Sequence, residues 1–132
     1  MNIDLTSSEL NRLVADLEEV PPNAHRNIRK AVEFTARGIK DSARDFAGGI
    51  AHAPHYPAAI TYDIDDQGVG VGVSAEIGPD KDRKQGALGN ILEYGTVKNP
   101  PYAHLGPALD IWTPDLETGL EKAAGDALEG RT

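Results

Sequence analysis

The chain has 132 residues, of which 39% are hydrophobic and 5% aromatic, and its formal net charge is −8. This length predicts one domain over residues 1–132, with a single core built mainly from Leu, Ile, Val and Ala. The acidic charge argues against a free nucleic-acid binder, because the neutralisation of phosphates requires clustered Lys and Arg.

The sequence also argues against several kinds of site and location. There are no cysteines, so disulfides and thiolate metal sites are excluded. The N-terminal segment MNIDLTSSEL lacks the basic and apolar regions of a signal peptide. No apolar run approaches the ~18 residues of a membrane span. We therefore expect a protein made in the cytoplasm, with no membrane partner.

The N-terminal segment has helical periodicity. Ser7 or Ser8 is a suitable N-cap for a first helix, and the Pro21-Pro22 pair ends it. The apolar residues of this helix recur at helical spacing, and they are Leu10, Leu13, Val14 and Leu17.

A longer amphipathic helix is predicted over residues 23–47, followed by a stop at Gly48-Gly49. Its core-facing stripe consists of Ile28, Val32, Thr35, Ile39, Ser42, Ala43 and Phe46. Phe34 lies off this stripe, where its ring would face solvent in a monomer. Two interpretations of Phe34 stay open, a singly exposed aromatic and a contact to a neighbouring subunit.

The polar faces of this long helix carry six cations, which are Arg26, Arg29, Lys30, Arg37, Lys40 and Arg44. Three acids lie among them and predict weak surface pairs, namely Arg29–Glu33, Arg37–Asp41 and Asp41–Arg44. The cations are interpreted either as a solvated face or as a basic strip that meets an acidic partner subunit. Direct reading of DNA is the least favoured use.

Residues 50–57 contain two histidines, His52 and His55, whose spacing suggests a metal site. Pro54 lies between them and disrupts the helix that would align the two imidazoles, and no H-E-x-x-H pattern is present. We interpret them as histidines of a surface loop and expect no metal.

A β-hairpin is predicted after this loop. Ile60, Tyr62 and Ile64 alternate with polar residues, the tetrapeptide at 65–68 turns, and the valines of GVGVGV alternate again. The glycines between the valines lack the G-x-G-x-x-G pattern of a phosphate loop. A glycine face on a strand instead indicates close packing against a neighbour.

Residues 78–86 (GPDKDRKQG) form a charged segment that includes Asp80, Lys81 and Arg83. Because this composition is hard to bury, we predict a loop that is mobile in the free protein and orders on binding a partner.

The segment 88–110 joins a short helical turn, a glycine turn, a proline loop and the start of a helix. Leu88, Ile91 and Leu92 fall at i, i+3 and i+4 and are expected to anchor it on one face. Gly95 stands where a positive φ is required. Residues 96–104 form the predicted exposed part, because Pro100 and Pro101 remove two backbone donors.

Glu93 is the one acid beside apolar residues. We expect it to accept hydrogen bonds from the backbone N–H groups of residues 95–98, or to pair with a basic residue of the long helix, rather than to act as a general base. No nucleophile elbow, Walker loop or zinc-protease motif is present. We therefore expect no enzyme, no catalytic residue and no cofactor.

A C-terminal helix is predicted from Pro107, which suits the first turn of a helix. Its apolar phase continues across Pro114, so a kinked single helix and two helices abutting at Thr113 are both open. Its apolar positions are Leu105, Ala108, Leu109, Trp112, Leu116, Leu120, Ala123 and Ala127. Trp112 is expected to pack on Phe46 or on the hairpin.

The run ILEYGT, followed by a proline loop and GPALD, resembles the (Y/F)-(V/L)-E-(F/Y)-G-T … P-A-L signature of tailed-phage neck and tail-completion proteins, the lambdoid gene-product-ten-like family. The motif covers about a fifth of the chain. Ala53-Pro54 matches the start of the family's A-P-x-x-(T/S)-G-x-L stretch, whereas YPAA at 56–59 departs from it. The order of long helix, strand pair, EYGT turn and closing helix follows the family.

This resemblance implies a structural virion protein that connects head to tail or completes the tail as a subunit of a ring, commonly sixfold. Its partners would be copies of itself and adjacent neck or tail-tube rings, near packaged DNA without sequence-specific binding. The expected fold class is α+β, with the long amphipathic helix and the C-terminal helix packed on a small antiparallel β-sheet. The expected interface and motif residues are Phe34, Asp80, Lys81, Arg83, Glu93, Tyr94, Gly95, Thr96, Pro100, Pro101 and Tyr102.

Two alternatives from other classes stay open. One is a small monomeric prophage-encoded binding or regulatory module without catalytic activity, in which EYGT is only a turn. The other, less favoured, is a hydrolytic enzyme.

Overall fold

The computed structural model describes residues 3–6, 11–16, 24–50, 53–68, 72–95, 101 and 103–128. The elements in chain order are β1 (Ile3–Thr6), β2 (Asn11–Asp16), α1 (His25–Phe46), α2 (Tyr56–Ala59), β3 (Ile60–Asp66), β4 (Gly72–Pro79), a short 3-10 helix (Gly86–Leu88), α3 (Gly89–Tyr94) and α4 (Leu105–Leu128).

The long amphipathic helix is confirmed as α1, which has 22 residues. The buried residues are Ile28, Val32, Thr35, Ala36, Gly38, Ile39 and Ala43, close to the predicted stripe. Phe46 is the exception, since its side chain is 44% exposed at the last position of the helix. The prediction of Phe46 as a core residue was wrong, because other elements do not fully cover the apolar stripe at the last position of the helix.

The C-terminal helix is one continuous element through Pro114, so the open choice between one helix and two is settled as one. It begins at Leu105, two residues before the predicted start. Thr113 is not an N-cap, because its Oγ1 donates to Leu109 O at 2.7 Å inside the helix. α4 runs antiparallel along α1, with Gly38 against Trp112 at one level and Ala31 against Gly119 at another.

A four-stranded antiparallel sheet, in the order β1-β2-β4-β3, replaces the predicted first helix at the N-terminus. Leu13 pairs with Ala75, which is fully buried in the core. The helical prediction for the N-terminal segment was therefore wrong. The spacing of Leu10, Leu13, Val14 and Leu17 is compatible with a helix, but residues 11–16 pair along their whole length with β4, and this long-range pairing outweighs the local pattern.

The β3–β4 hairpin is confirmed, and its strands pair from Ile60 with Pro79 to Asp66 with Val73. Val73, Ala75 and Ile77 of β4 are buried in the core. Because β4 extends through Pro79, the predicted loop at 78–86 begins too early. Residues 69–71 of the GVGVGV run lie outside the described residues.

The predicted α+β fold is thus observed, with α1 packed on β3 and β4 and α4 packed along α1. The core between them contains Ile28, Ile39, Tyr56, Ile60, Ile77, Leu105, Leu116 and Leu120. None of the helices in the described ranges has the length and apolarity that a membrane crossing requires.

Candidate functional site

The EYGT segment begins as the short helix α3, which confirms the predicted helical turn. Leu92 is buried, but Ile91 is 50% exposed and Tyr94 is 55% exposed. The prediction of Ile91 as an anchor was wrong, because one short turn buries only the side that faces the core. Gly95 has φ 75° and ψ −174°, a region open essentially to glycine alone, which confirms the predicted positive φ.

Glu93 is only 7% exposed, and its carboxylate caps the start of α4. Oε2 accepts the backbone N–H of His104 at 2.8 Å, and Oε1 accepts those of Leu105 at 2.6 Å and Gly106 at 2.9 Å. These are amides that lack intrahelical acceptors, and a negative charge is favoured at this end of a helix. We predicted backbone donors correctly, but the donors belong to α4 rather than to residues 95–98.

His104 lies between this carboxylate and Tyr56. The Tyr56 hydroxyl is 2.6 Å from His104 Nε2, and the two rings are edge-on at 5.1 Å between centroids. His104 Nδ1 lies 3.9 Å from Glu93 Oε2. Burial, and then the negative charge of Glu93, raises the pKa of Tyr56 above its ordinary value. His104 is 0% exposed, so its assignment to the exposed part of residues 96–104 was wrong.

The series of hydroxyl, imidazole and carboxylate has the composition of a proton relay. Tyr56 and His104 are both 0% exposed, however, and the carboxylate is already occupied by three backbone donors. A catalytic group must touch its substrate, and the side chains of Tyr56 and His104 have no exposed surface through which a substrate could reach them. The arrangement supports a structural role, in which α2, α3 and α4 are joined at one corner of the molecule.

Large apolar side chains are exposed on the helices. They are Phe34 (62%), Ile111 (57%), Tyr94 (55%), Ile91 (50%) and Phe46 (44%). The Phe34 ring meets Trp112 edge-on at 5.9 Å, and Trp112 Nε1 donates to Ser42 Oγ at 2.9 Å. The predicted exposure of Phe34 is confirmed. Trp112 lies against Phe34 and Gly38 of α1, rather than on Phe46 or the hairpin as we predicted.

Several α1 cations bind other parts of the same chain. Arg29 Nε is 3.3 Å from Asp66 Oδ2, a carboxylate that also binds His25 Nε2 at 2.8 Å. The hydrogen bond from His25 is the main cause that lowers the pKa of Asp66. Arg44 donates from Nε and Nη2 to Ile60 O at 2.9 and 2.7 Å. These cations join α1 to β3, a use that neither interpretation of the basic face included.

Other pairs lie along α1 itself. Arg37 Nη2 is 3.6 Å from Glu33 Oε1, and Lys40 Nζ is 3.1 Å from Asp41 Oδ1. The predicted partners of Arg29, Arg37 and Arg44 were therefore wrong in each case. For Arg29 and Arg44 the reason is that the sheet supplies acceptors which helical spacing alone does not reveal, whereas Arg37 pairs with Glu33, one turn earlier on α1.

Asp80, Lys81 and Arg83 lie on the segment between β4 and the 3-10 helix. Asp80 Oδ1 accepts the backbone N–H of Asp82 at 2.9 Å, and Arg83 Nη1 donates to Ala58 O at 3.2 Å. The outer face of the sheet beside them has a cavity of about 410 Å³, which is lined by Thr61, Asp63, Glu76, Gly78, Pro79, Asp80 and Lys81. The predicted loop residues thus border a surface with three carboxylates.

Some predicted residues cannot be placed in this geometry. Thr96, Pro100, Tyr102 and His52 lie outside the described residues, whereas Pro101 and His55 are described and exposed. In the described part of the chain, no three acidic or histidine side chains are grouped so as to hold a metal ion.

Sequence reasoning missed Tyr56, His104 and Ile111. Tyr56 and His104 are distant in sequence, and only the fold brings them together. Ile111 is one position from Trp112 on α4, and helical phase places it away from the stripe that contains Leu105 and Leu116. This phase was the available signal for an exposed apolar residue.

Comparison of the chain with models of protein families, with curated proteins and with solved structures gave no match. The resemblance to phage neck proteins therefore rests on the residues quoted for it.

Proposed function

We propose that this chain is a structural virion protein of a tailed phage, a ring-forming subunit that connects head to tail or completes the tail. The observation that carries the proposal is the corner at Glu93. One buried carboxylate fixes the end of α3 and the start of α4, and the exposed side chains of Ile91 and Tyr94 project beside it. Glu93 thus holds in place the helix that presents Ile91 and Tyr94 as a contact surface.

The distribution of apolar side chains supports assembly rather than chemistry. Phe34 and Ile111 are each more than half exposed, and Phe34 is attached to the α1–α4 interface through Trp112. Exposed large apolar residues of this kind are typical of surfaces that are covered by another protein. The covering protein is a further copy in the ring or an adjacent neck or tail-tube ring, close to packaged DNA without reading its sequence.

The test compares particle assembly by single variants. Tyr94→Ser and Phe34→Ser remove exposed apolar side chains, and Glu117→Ser is a matched control at an exposed position of α4. Purified variants are mixed with phage particles that lack this subunit, and joined particles are counted by negative-stain electron microscopy. We expect Tyr94→Ser and Phe34→Ser to reduce joining strongly and Glu117→Ser to behave as wild type.

Light scattering and particle joining of the wild-type chain can also contradict the proposal. A wild-type chain that is a monodisperse monomer in light scattering and never joins purified tails or capsids would instead favour the monomeric binding or regulatory module. A free monomer that does join particles remains compatible with a ring that forms only on its template.

A further inference from the structure

One edge of the sheet is formed by β3, because the strand order places β3 and β1 at its two ends. Two bonds show which backbone groups of β3 face β4. Asp80 N–H donates to Ala59 O at 2.8 Å, and Gln67 N–H donates to Gly72 O at 3.0 Å. Such positions recur at every second residue of an antiparallel pair. The odd-numbered residues of β3 therefore bond to β4, and the even-numbered residues direct their backbone groups away from the sheet.

This edge is closed at Ile60 and open beyond it. Arg44 donates twice to Ile60 O, and Ile60 N–H donates to Pro57 O. Further along the strand, and within the residues that the structure describes, Tyr62 and Ile64 make no backbone hydrogen bond on their outward side. Each of them offers one donor and one acceptor, which is the requirement for an added strand.

We infer that the β3 edge binds an extended segment of a different protein as an added antiparallel strand, and that this segment carries basic residues at every second position. Basic residues are favoured by the negative charge on the outer face of the sheet, which is the face turned away from α1. Asp63 and Asp65 are exposed there, Glu76 lies opposite Asp63 in the ladder, and Lys81 lines the same cavity as Asp63 and Glu76, so the carboxylates outnumber the cation. In an added strand, alternate side chains lie beside these carboxylates, where opposite charges attract.

A second copy of this chain fits the edge poorly. The strands at the two edges are IDLT and ITYDIDD, and neither contains Lys or Arg. Pairing of β3 with β3 or β1 of another copy would therefore place the acidic side chains of the two edge strands beside one another, which is destabilising. The binding partner is a chain of opposite charge.

The face of β3 that is turned toward α1 determines which residues the partner carries at its other alternate positions. Tyr62 and Ile64 are half-buried there, and Lys40 Nζ lies 5.6 Å from the centroid of the Tyr62 ring. Side chains of the added strand on this face meet apolar surface and a cation from α1. Apolar residues fit these positions and further Lys or Arg do not, so the partner alternates basic and apolar residues.

The test uses an acetylated and amidated heptapeptide of alternating Lys and Val, titrated into the isotope-labelled full chain and followed by nuclear magnetic resonance. We expect the amides of Tyr62 and Ile64 to shift and to gain protection from hydrogen exchange. Asp65→Lys should weaken binding by about fivefold to tenfold, because like charges then face each other across the edge. Asp115→Lys makes the same charge change at an exposed position of α4 and should leave the affinity unchanged.

A peptide N-methylated at its Val residues separates strand addition from simple charge attraction. In antiparallel pairing these residues lie opposite Tyr62 and Ile64, so their methylation removes the donors and keeps every charge. We expect it not to bind. Equal binding of the methylated peptide, absence of binding by the unmethylated one, or protection elsewhere than on β3 each overturns the inference. The measurement concerns a single chain, so its outcome is independent of whether the protein forms a ring.

Discussion

Glu93 shows at the scale of one residue how the EYGT motif works. The side chain is buried, yet its negative charge is compensated by three backbone amides at the start of α4. Buried carboxylates are costly unless they are hydrogen-bonded in this way. The motif therefore stabilises the fold at the same place where it presents Tyr94 to solvent.

Glu93→Gln should destabilise the protein by about 2–3 kcal/mol, because an amide cannot accept these hydrogen bonds with the strength of a carboxylate and its NH2 group faces other donors. The measurement is urea unfolding followed by circular dichroism at neutral pH. Glu117→Gln, which changes an exposed acid within α4, the helix that Glu93 caps, is the control and should shift stability by less than about 0.5 kcal/mol. Equal effects of the two variants would contradict the capping role.

Tyr56 predicts a loss of stability at alkaline pH. Its pKa in the folded state is raised above the ordinary value of 10.0, so the unfolded chain releases this proton first. The contribution of Tyr56 to the free energy of unfolding is fully present below pH 10, and above pH 10 it falls by up to about 1.4 kcal/mol per pH unit. The stability of Tyr56→Phe should therefore fall less steeply between pH 9.5 and 11.

The control for this pH profile is Tyr94→Phe, which changes an exposed tyrosine and should keep the wild-type slope. Tyr56→Phe should also be less stable at pH 7 by about 1 kcal/mol, since His104 Nε2 loses the hydroxyl. Parallel profiles of wild type and Tyr56→Phe would refute the assignment.

Gly95 and Glu93 differ in how far their roles could be predicted from the sequence. Gly95 was predictable because its conformation is a local property of the turn. The hydrogen bonds of Glu93 were predictable in kind, since a carboxylate beside apolar residues needs donors. Their identity was not, because His104 and Gly106 reach Glu93 only after the chain folds back.

Among the elements, the α1–α4 pair depends on one small residue. A Cβ built on Gly38 would lie 2.5 Å from the Trp112 ring, so only glycine lets this ring lie against α1. Trp112 in turn binds Ser42 and supports Phe34. Pro114 is tolerated in α4 because the carbonyl that it leaves without a helical donor belongs to Asp110, on the exposed side of the helix.

Gly38→Ala should cost about 1–3 kcal/mol through overpacking, although Ala is the better helix former. Gly125→Ala is a matched control in α4, where a Cβ meets nothing within 4 Å, and it should gain about 0.5–1 kcal/mol. Thermal unfolding of the two variants measures the difference. A stabilised Gly38→Ala would mean that Trp112 does not rest on this position.

Long elements were predicted more accurately than short ones. α1 was predicted nearly to its ends, because six turns of amphipathic sequence leave no other good arrangement. β1 and β2 were missed, since they are short and their stability comes from pairing rather than local preference. The same reason explains why the predicted loop at 78–86 began inside β4.

For the whole molecule, the N-terminal hairpin completes the sheet. β2 covers the side of β4 that β3 leaves open, and β1 is then the edge. Deletion of residues 1–8 removes β1 only, and the shorter sheet should remain folded with a lowered melting temperature. Deletion of residues 1–20 also removes β2, one of the two partners of β4, and exposes the edge of this buried eight-residue strand, so this variant should aggregate.

Size-exclusion chromatography of the two deletion variants measures this difference. A soluble, folded chain without residues 1–20 would show that the β2–β4 pairing is dispensable. The predicted single helix at the N-terminus leads to a different expectation, because its removal would uncover one helical stripe rather than a strand edge.

The strand order also has a consequence for the timing of synthesis. β2 emerges early from the ribosome, but its partner β4 follows only after α1 and β3 have been made. At usual translation rates this wait is on the order of seconds, and an isolated two-stranded hairpin is at best marginally stable in water. The N-terminal segment therefore stays unpaired while α1 folds, and closing the sheet is expected to be among the last steps of folding.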